Sequence, residues 1–296
     1  MKIIAYIPVW KRPEVLLQHL MYNCEFYTPF YCLSEDDPYF KENEQLIKLF
    51  GHKYCIFDND PLGNKQNQLI DLIPLEFGDY DYLIHINSDN LVNKDLFQLY
   101  AEEMENKTPI FGMSDVYFWE QVGKKRCVYL EKYNDSHCIG GGRMIHKSVI
   151  DAMKEKEEHI YTPSQQSGLD NNSRLNIKRV LNIDDKVIDT KGVPYIIDVK
   201  TYTNINPLTM MDSFLDRFVD HDIDDILEYF DKKIPVFLAQ QLSNTEGFKD
   251  EYFRLIKTFD GNKKAFDFIN NLHEGIFGGK RYSGYNTFRV IRDRKK

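Results

Sequence analysis

The segment Tyr80–Asp95, YDYLIHINSDNLVNKD, contains the transition on which the predicted fold and site depend. A short run rich in Leu and Ile, typical of a buried β-strand, ends abruptly in the polar tetrapeptide Asn87–Asn90. In an extended chain residues i and i+2 point to the same side, so Asn87 and Asp89 are predicted to face one cleft. One carboxylate and one amide oxygen can hold Mg²⁺ or Mn²⁺ when a diphosphate supplies the remaining oxygens.

Strand and helix patterns alternate before and after this segment, up to about residue 110. Strands are predicted in KIIAYIPVW, FYTPFYCL, HKYCIF and DYLIHIN, with apolar helical stripes between them. This alternation predicts an α/β fold with a largely parallel sheet and helices on both faces. Ligands of such sheets bind beyond the carboxyl ends of the strands. Polar segments fall at each of those ends: Trp10–Arg12, Glu35–Asp37, Asp58–Asp60 and Asn87–Asp89.

Composition indicates a folded globular protein without membrane insertion. The 296 residues are 42% hydrophobic and carry a formal net charge of -8. The apolar runs are too short to cross a bilayer, and the first residues resemble a strand rather than a signal peptide. Five cysteines without a Cys-x-x-Cys pair favour reduced thiols and a cytoplasmic location.

The pattern becomes helical from Leu208, so a boundary is predicted at Pro207. Residues 1–207 are expected to form an α/β domain, and residues 208–296 a helical C-terminal extension. One predicted helix face runs from Phe214 through Phe218 to Phe230. The last segment, Gly279–Lys296, has seven basic residues and one acid. Either it contacts phosphates or another anionic surface, or it is a solvated end that offsets the acidic body.

Four segments, taken in order, resemble the family-2-like glycosyltransferases with the GT-A fold. They are IIAYIPVWKRPEVL, CLSEDD, PLGNKQNQLI and LIHINSDNLVNKD, and the resemblance covers about residues 2–206. It implies that residues 1–207 are a GT-A-like nucleotide-sugar-binding and catalytic domain, in which the last segment carries the Asp-x-Asp metal motif. Asn87 stands where the family usually has its first aspartate, whereas Asp89 is kept.

The resemblance implies a nucleotide-sugar donor, with UDP as the expected nucleotide, and a Mn²⁺ or Mg²⁺ ion held by Asp89 and Asn87. The second-strand acids are expected at the nucleoside, and the Gly-x-x-x-Asn segment at the start of a helix near the diphosphate. The donor-binding candidates are Pro8, Trp10, Arg12, Glu35, Asp36, Asp37, Lys65, Asn67, Asn87, Ser88 and Asp89.

The segment SGLDNNSRLNI resembles the family's helix that carries the general base. Asp170 stands in the position of the base and Leu169 in that of the preceding Glu. A carboxylate there would take the proton of an acceptor hydroxyl in a single inverting displacement, which needs no covalent enzyme intermediate. Alternatively, Ser167-x-x-Asp170 is a near capping box, and the acid caps a helix.

The acceptor is expected to be a hydroxyl of a glycan or, given the basic aromatic tail, of a hydroxymethylated DNA base. The segment IGGGRMIH resembles the family's Gly-rich acceptor loop. Acceptor-side candidates are Gly141, Gly142, Arg143 and Trp119, although Arg143 could form an ordinary salt bridge and Trp119 could belong to the core. His85 is predicted to be a core histidine. The changes at Asn87 and Leu169 leave open a sugar-nucleotide-binding module without turnover.

Overall fold

The computed structural model describes residues 1–21, 26–121, 126–132, 137–201 and 217–230. The strands in these ranges form two sheets. The strands are β1 (Ile3–Pro8), β2 (Thr28–Leu33), β3 (Lys53–Ile56), β4 (Tyr82–His85), β5 (Asn90–Val92), β6 (Ile110–Met113), β7 (Val116–Glu120), β8 (Cys127–Leu130), β9 (Met144–His146), β10 (Lys186–Ile188), β11 (Ile196–Lys200) and β12 (Phe218–His221).

The first sheet has seven strands in the order β10-β6-β9-β4-β1-β2-β3. Its central strands are parallel, because β1 pairs in parallel with β2 and β4, and β2 with β3. Strand β9 is antiparallel to both of its neighbours, β4 and β6. The predicted fold class, a mostly parallel sheet flanked by helices, is therefore confirmed.

Helices cover both faces of this sheet. The helices in the described ranges are α1 (Pro13–Met21), α2 (Phe40–Leu49), α3 (Leu62–Phe77), α4 (Leu96–Leu99), α5 (Ala101–Glu105), α6 (Lys147–Glu155), α7 (Leu169–Leu181) and α8 (Ile223–Glu228), of which α8 packs on the second sheet. Because side chains alternate along a strand, Ala5 and Ile7 of β1 pack in the cluster that includes α1 and α2. Ile4 and Tyr6 face the opposite way, toward α3, α6 and α7.

A second sheet has five strands in the order β12-β8-β7-β11-β5. It is mainly antiparallel, and its apolar cluster contains Trp119 and Ile197 from the sheet and Ile226 from α8. The sequence patterns predicted strands in this region but did not predict that they form a second sheet.

The polar tetrapeptide is the crossing point between the two sheets. Strand β4 belongs to the first sheet, and β5 begins the second sheet directly after Asp89. The intervening residues form a turn, in which the backbone N–H of Asn90 donates to the Asn87 carbonyl at 3.0 Å. The Asn90 side chain accepts from the Asn87 backbone N–H, also at 3.0 Å. The extended geometry assumed for residues 87–89 is therefore wrong, because the chain must turn here to change sheets.

The helical prediction for Phe218 is also wrong. Residues 218–221 form β12, which pairs antiparallel with β8, and α8 follows. Pro207, the stretch to residue 216 and the basic tail lie outside the described residues, so the domain boundary stays a prediction. Within the described ranges, no helix has the length and apolar character needed to span a membrane.

Candidate active site

A cleft of about 310 Å³ opens where the two sheets meet. It lies at the carboxyl ends of β1 and β4, the position expected for a ligand of a parallel sheet. Eight of the predicted site residues line it: Pro8, Trp10, Arg12, Asn87, Ser88, Asp89, Gly141 and Asp170. The carboxylates predicted for the metal and for the base thus lie in one cleft.

Asp89 forms an ion pair with Arg12 at the edge of the cleft. The Arg12 Nη1 to Asp89 Oδ2 distance is 3.0 Å, and the two side chains are only 12% and 11% exposed. Burial opposes ionisation of Asp89, but the charges of Arg12 and Lys200 outweigh it and hold the Asp89 pKa below its usual value. Lys11 and Arg12 both adopt positive φ angles, 59° and 52°, which turns the chain after β1. Such sparsely populated conformations cluster at functional sites.

Strand β11 adds a second pair of opposite charges to the same cleft. Lys200 Nζ donates to Asp198 Oδ2 at 2.8 Å, and the backbone N–H of Val199 donates to the Asp89 carbonyl at 2.9 Å. Burial raises the pKa of Asp198 to about 7, with the charge of Asp89 adding to the effect and that of Lys200 opposing it. Together with Asp170, the cleft therefore combines three carboxylates with two cations.

Oxygen ligands suitable for Mg²⁺ or Mn²⁺ are present at this end of the cleft. Asp89 and Asn87 both line it, and the buried Oδ1 of Asp198 has no hydrogen-bond partner among the described residues. In the described part of the chain, no three His, Cys, Asp or Glu side chains form a metal-binding group. A cation here would therefore need further oxygens from a bound ligand such as a diphosphate, which is the arrangement that Mg²⁺ sites commonly use.

Asp170 lies in the first turn of α7. The N-cap of this helix is Gly168, with φ 65° and no side-chain cap, so the near capping box at Ser167 is not formed. The buried Arg143 donates from Nη1 to the Asp170 carbonyl at 2.8 Å and from Nη2 to Ser173 Oγ at 2.7 Å. These bonds fix the backbone under Asp170, whose side chain is 40% exposed.

The Gly-rich loop before β9 makes room for the polar side chains of the cleft. A Cβ at Gly140 would overlap the Asp170 carboxylate, and one at Gly141 would lie 2.8 Å from Asn90 Oδ1. Gly142 has φ +82°, a region that favours glycine, and does not line the cleft. The loop thus leaves space for the side chains of Asp170 and Asn90. The sequence-based interpretation had assigned this space to the acceptor alone.

His85 is a cleft residue that the sequence interpretation assigned to the core. Its ring stacks on Tyr6 with 4.9 Å between ring centroids, and its Nδ1 lies 4.0 Å from Asp170 Oδ1. Burial lowers the pKa of His85 to about 4, although the charge of Asp170 opposes the shift. The imidazole is therefore neutral near pH 7.

Lys65 and Asn67 are buried and do not line the cleft. Lys65 Nζ donates to the Val9 carbonyl, Ser34 Oγ and Asn59 Oδ1, at 3.1, 2.7 and 3.1 Å. These contacts join the carboxyl ends of β1 and β2 to the loop after β3. Asn67 forms two hydrogen bonds with the backbone of Tyr161, at 2.7 and 3.0 Å, and so anchors the loop that leads to α7.

The remaining predicted residues lie away from the cleft. Trp119 is 2% exposed and packs in the apolar cluster of the second sheet. It is therefore a core residue, which was the alternative to an acceptor-binding role. Arg143 lies beneath Asp170, as described above. Asp37 is buried and accepts from the backbone N–H groups of Lys11 and Tyr39, at 2.6 and 2.9 Å, whereas Glu35 and Asp36 are exposed.

Sequence reasoning did not identify Asp198, Lys200 or His85 as site residues. A signal for the first two is present in IIDVK, because two charged residues alternate with apolar ones and so share one face of the strand. His85 has the same relation to the polar turn, as a polar residue inside an apolar strand two positions before Asn87.

The chain is similar to glycosyltransferases and a nucleotidyltransferase of known structure, whereas no protein-family model and no curated protein matches it. S. aureus TarS 1–349 has 11% identity, a TM-score of 0.45 and coverage of 100% of this chain and 92% of that chain. For the mannosyltransferase PcManGT from Pyrobaculum calidifontis, in complex with GDP-Man and Mn²⁺, the values are 10%, 0.45, 99% and 84%. For the inositol-1-phosphate CTP transferase from T. maritima they are 12%, 0.39, 70% and 93%. At such identities, and with TM-scores below 0.5, function has to be inferred from the site itself.

Proposed function

We propose that the chain is a glycosyltransferase that moves a sugar from a nucleoside diphosphate donor, a UDP-sugar, to a hydroxyl of a saccharide acceptor. The observation that carries this proposal is the placement of Asp89 and Asp170 in one cleft at the carboxyl ends of β1 and β4. Asp89 contributes to binding of the donor diphosphate, and Asp170 acts as the general base. A lone base suits a single displacement, whereas hydrolases use two facing carboxylates around the scissile bond.

The reaction is an inverting displacement at the anomeric carbon. The Asp170 carboxylate accepts the proton of the acceptor hydroxyl as that oxygen forms its bond to the anomeric carbon. The bond between this carbon and the diphosphate oxygen breaks, and its electron pair leaves with the nucleoside diphosphate. The proton on Asp170 then passes to solvent through the exposed part of the side chain.

The diphosphate is placed beside Arg12 and Lys200, because these cations lie in the cleft next to the metal candidates. Asp89 and Asn87 would hold a divalent cation, and the unpartnered oxygen of Asp198 faces the same cleft. When bound, a divalent cation would neutralise charge that develops on the leaving diphosphate. The nucleoside would extend toward Pro8 and Trp10 at the end of β1.

Transfer assays with Asp170→Asn test the role of the base. This variant should lose about 10²- to 10⁴-fold in kcat, the usual contribution of general base catalysis, while donor affinity stays near that of the wild type. Asp184→Asn is the matched control, because Asp184 is an exposed acid paired with Lys178 beyond the end of α7. Wild-type kcat in Asp170→Asn would remove Asp170 from the reaction.

A non-catalytic sugar-nucleotide-binding module is the second candidate. The Arg12–Asp89 ion pair favours it, since a carboxylate already paired with an arginine binds a cation less readily. Cation-dependent release of UDP from a UDP-sugar, lost in Asp89→Asn, supports the enzyme. Tight binding of an intact donor without any release across an acceptor screen supports the module.

A further inference from the structure

His85 has one ring nitrogen that is buried, faces the cleft and has no hydrogen-bond partner among the described residues. This atom is Nδ1, and the side chain is 3% exposed. An N–H or lone pair left unpaired in a buried site costs free energy, so such a group in a cleft indicates a partner that completes it. Its nearest carboxylate oxygen is Asp170 Oδ1, at 4.0 Å.

The other ring nitrogen indicates which one carries the proton. Gln66 Nε2 lies 3.5 Å from His85 Nε2, and an amide NH₂ can only donate. With the Gln66 amide in this orientation His85 Nε2 accepts, and we assign the ring proton to Nδ1, the nitrogen that lies nearer Asp170. The parallel stack on Tyr6, with an interplanar angle of 9°, restrains the ring plane, and Nδ1 in this orientation lies 4.0 Å from Asp170 Oδ1.

We propose that His85 is a positioning residue: its Nδ1–H donates a hydrogen bond to the Asp170 carboxylate and orients it for proton abstraction. This inference rests on the proposed function for its catalytic consequence, although the hydrogen bond itself is independent of it. The Asp170 side chain is 40% exposed, and a small rotation of its carboxyl group would shorten the 4.0 Å separation. Catalytic hydrogen bonds are commonly long in ligand-free structures and tighten in the substrate complex.

The surroundings of the pair support an orienting role rather than proton transfer through the ring. The backbone of Asp170 is fixed by Arg143, and its carboxylate occupies the space left by Gly140, so rotation of the carboxyl group is the main freedom left. A donor from the cleft floor removes that freedom. His85 keeps its proton throughout, and the proton of the acceptor hydroxyl goes to Asp170 alone.

The proton position is tested by NMR of protein labelled with ¹⁵N-histidine. His85→Phe assigns the His85 signals among the eight histidines. We expect the Nδ1–H tautomer in the wild type, and faster exchange of this proton with solvent in Asp170→Ala. Asp184→Ala should leave the signals unchanged. An Nε2–H tautomer, or a His85 signal that does not respond to Asp170→Ala, overturns the proposal whatever the chain catalyses.

Two substitutions at His85 separate orientation from packing. His85→Phe keeps the stack on Tyr6 but removes the donor, so kcat should fall about 10- to 100-fold with the KM for donor little changed. His85→Asn places an amide N–H near the Nδ1 position and should recover part of this loss. In an Asp170→Asn background, His85→Phe should have no further effect.

The kinetic outcomes are decisive in both directions once thermal unfolding shows that the variants fold. Wild-type kcat in His85→Phe overturns the positioning role. Equal losses in His85→Phe and His85→Asn, with additive loss in the Asp170→Asn background, assign His85 to packing instead. If the wild type transfers no sugar from any donor, the proposed function fails, while the NMR result still decides the pair.

Discussion

Asp89 illustrates how a buried charge is kept in a cleft before any ligand binds. The charged atoms of the buried Asp89 and the half-buried Arg12 lie 3.0 Å apart, and Lys200 adds a second positive charge nearby. Breaking a buried ion pair by removing one partner is much more costly than replacing both, because the other charge is left uncompensated. Arg12 should therefore be essential for stability as long as Asp89 is charged.

A double-mutant cycle tests this coupling. Arg12→Gln should lower the free energy of unfolding by about 2–4 kcal/mol, since Lys200 compensates only part of the lost charge. Asp89→Asn added to Arg12→Gln should recover at least about 1 kcal/mol, measured by chemical denaturation. As a control, Lys53→Gln removes an exposed pair with Glu76 and should change stability by less than about 1 kcal/mol. Additive effects of Arg12→Gln and Asp89→Asn would contradict the coupling.

His19 gives a prediction for the pH dependence of stability. It is buried in α1 and its Nδ1 lies 2.7 Å from the Asn90 carbonyl. Burial lowers the pKa of His19 to about 4. The hydrogen bond to the Asn90 carbonyl favours the charged form and opposes this shift. Between pH 6.5 and 4 the unfolded chain binds a proton at this residue that the folded chain does not, so stability must fall as pH falls through this window.

The contribution of His19 should be roughly 1.4 kcal/mol per pH unit in that window, and it should level off below pH 4. Denaturation curves at several pH values measure the slope. His19→Phe should have a shallower slope by about one proton, whatever its absolute stability. An NMR titration of His19 with a midpoint near 6.5 would be inconsistent with this account.

At the level of single residues, the sequence predicted the groups that stand in recognisable patterns. Asp89 and Asp170 were identified because each belongs to a motif, and both line the cleft. Lys65 and Asn67 belong to a motif as well, but their side chains bind protein groups. Their partners come from distant parts of the chain, which no local pattern contains.

The Gly-rich loop and the start of α7 together position the Asp170 carboxylate. The carboxylate of Asp170 lies over Gly140, and Arg143 beneath the helix start holds the Asp170 backbone. The glycines are therefore needed for close approach within the protein, independent of any acceptor.

Gly140→Ala is the substitution that tests this element. A Cβ there displaces the Asp170 carboxylate, so kcat should fall by about 10²-fold, the typical cost of a misplacement near 1 Å, while donor affinity is retained. Gly51→Ala is the control, because Gly51 has φ +71° and open space around its Cα. It should cost roughly 1 kcal/mol in stability and leave transfer unchanged. Equal activity losses in both variants would assign the effect of Gly140→Ala to folding.

The elements themselves were predictable where periodicity and length agree. The first four strands and the helices between them follow local patterns, and Gly51 follows the end of α2 with a positive φ as expected for a helix terminus. After Asn93 the chain forms two short helices, α4 and α5, rather than one long helix. Phe218 was assigned to a helix because its apolar spacing continues into α8, whereas pairing with β8 makes it a strand.

In the whole molecule, the cleft exists because the chain changes sheets at the polar turn. Strand β4 delivers Asn87 and Asp89 from the first sheet, and β11 of the second sheet returns Asp198 and Lys200 to the same place. The second sheet was not predictable, because its pairs join strands as distant as β5 and β11. A sequence read locally shows the strands but not their partners.

The most direct test of the proposed function is donor binding measured by thermal unfolding of the wild type and Asp89→Asn. A panel of nucleotide sugars, each with and without Mn²⁺, identifies the nucleotide, the sugar and the cation requirement together. We predict that one UDP-sugar raises the Tm in the presence of Mn²⁺, increasingly with its concentration, and that Asp89→Asn abolishes the shift. Equal stabilisation of both proteins, or no stabilisation by any nucleotide sugar with or without Mn²⁺, would contradict the proposal that this cleft binds a sugar donor through Asp89.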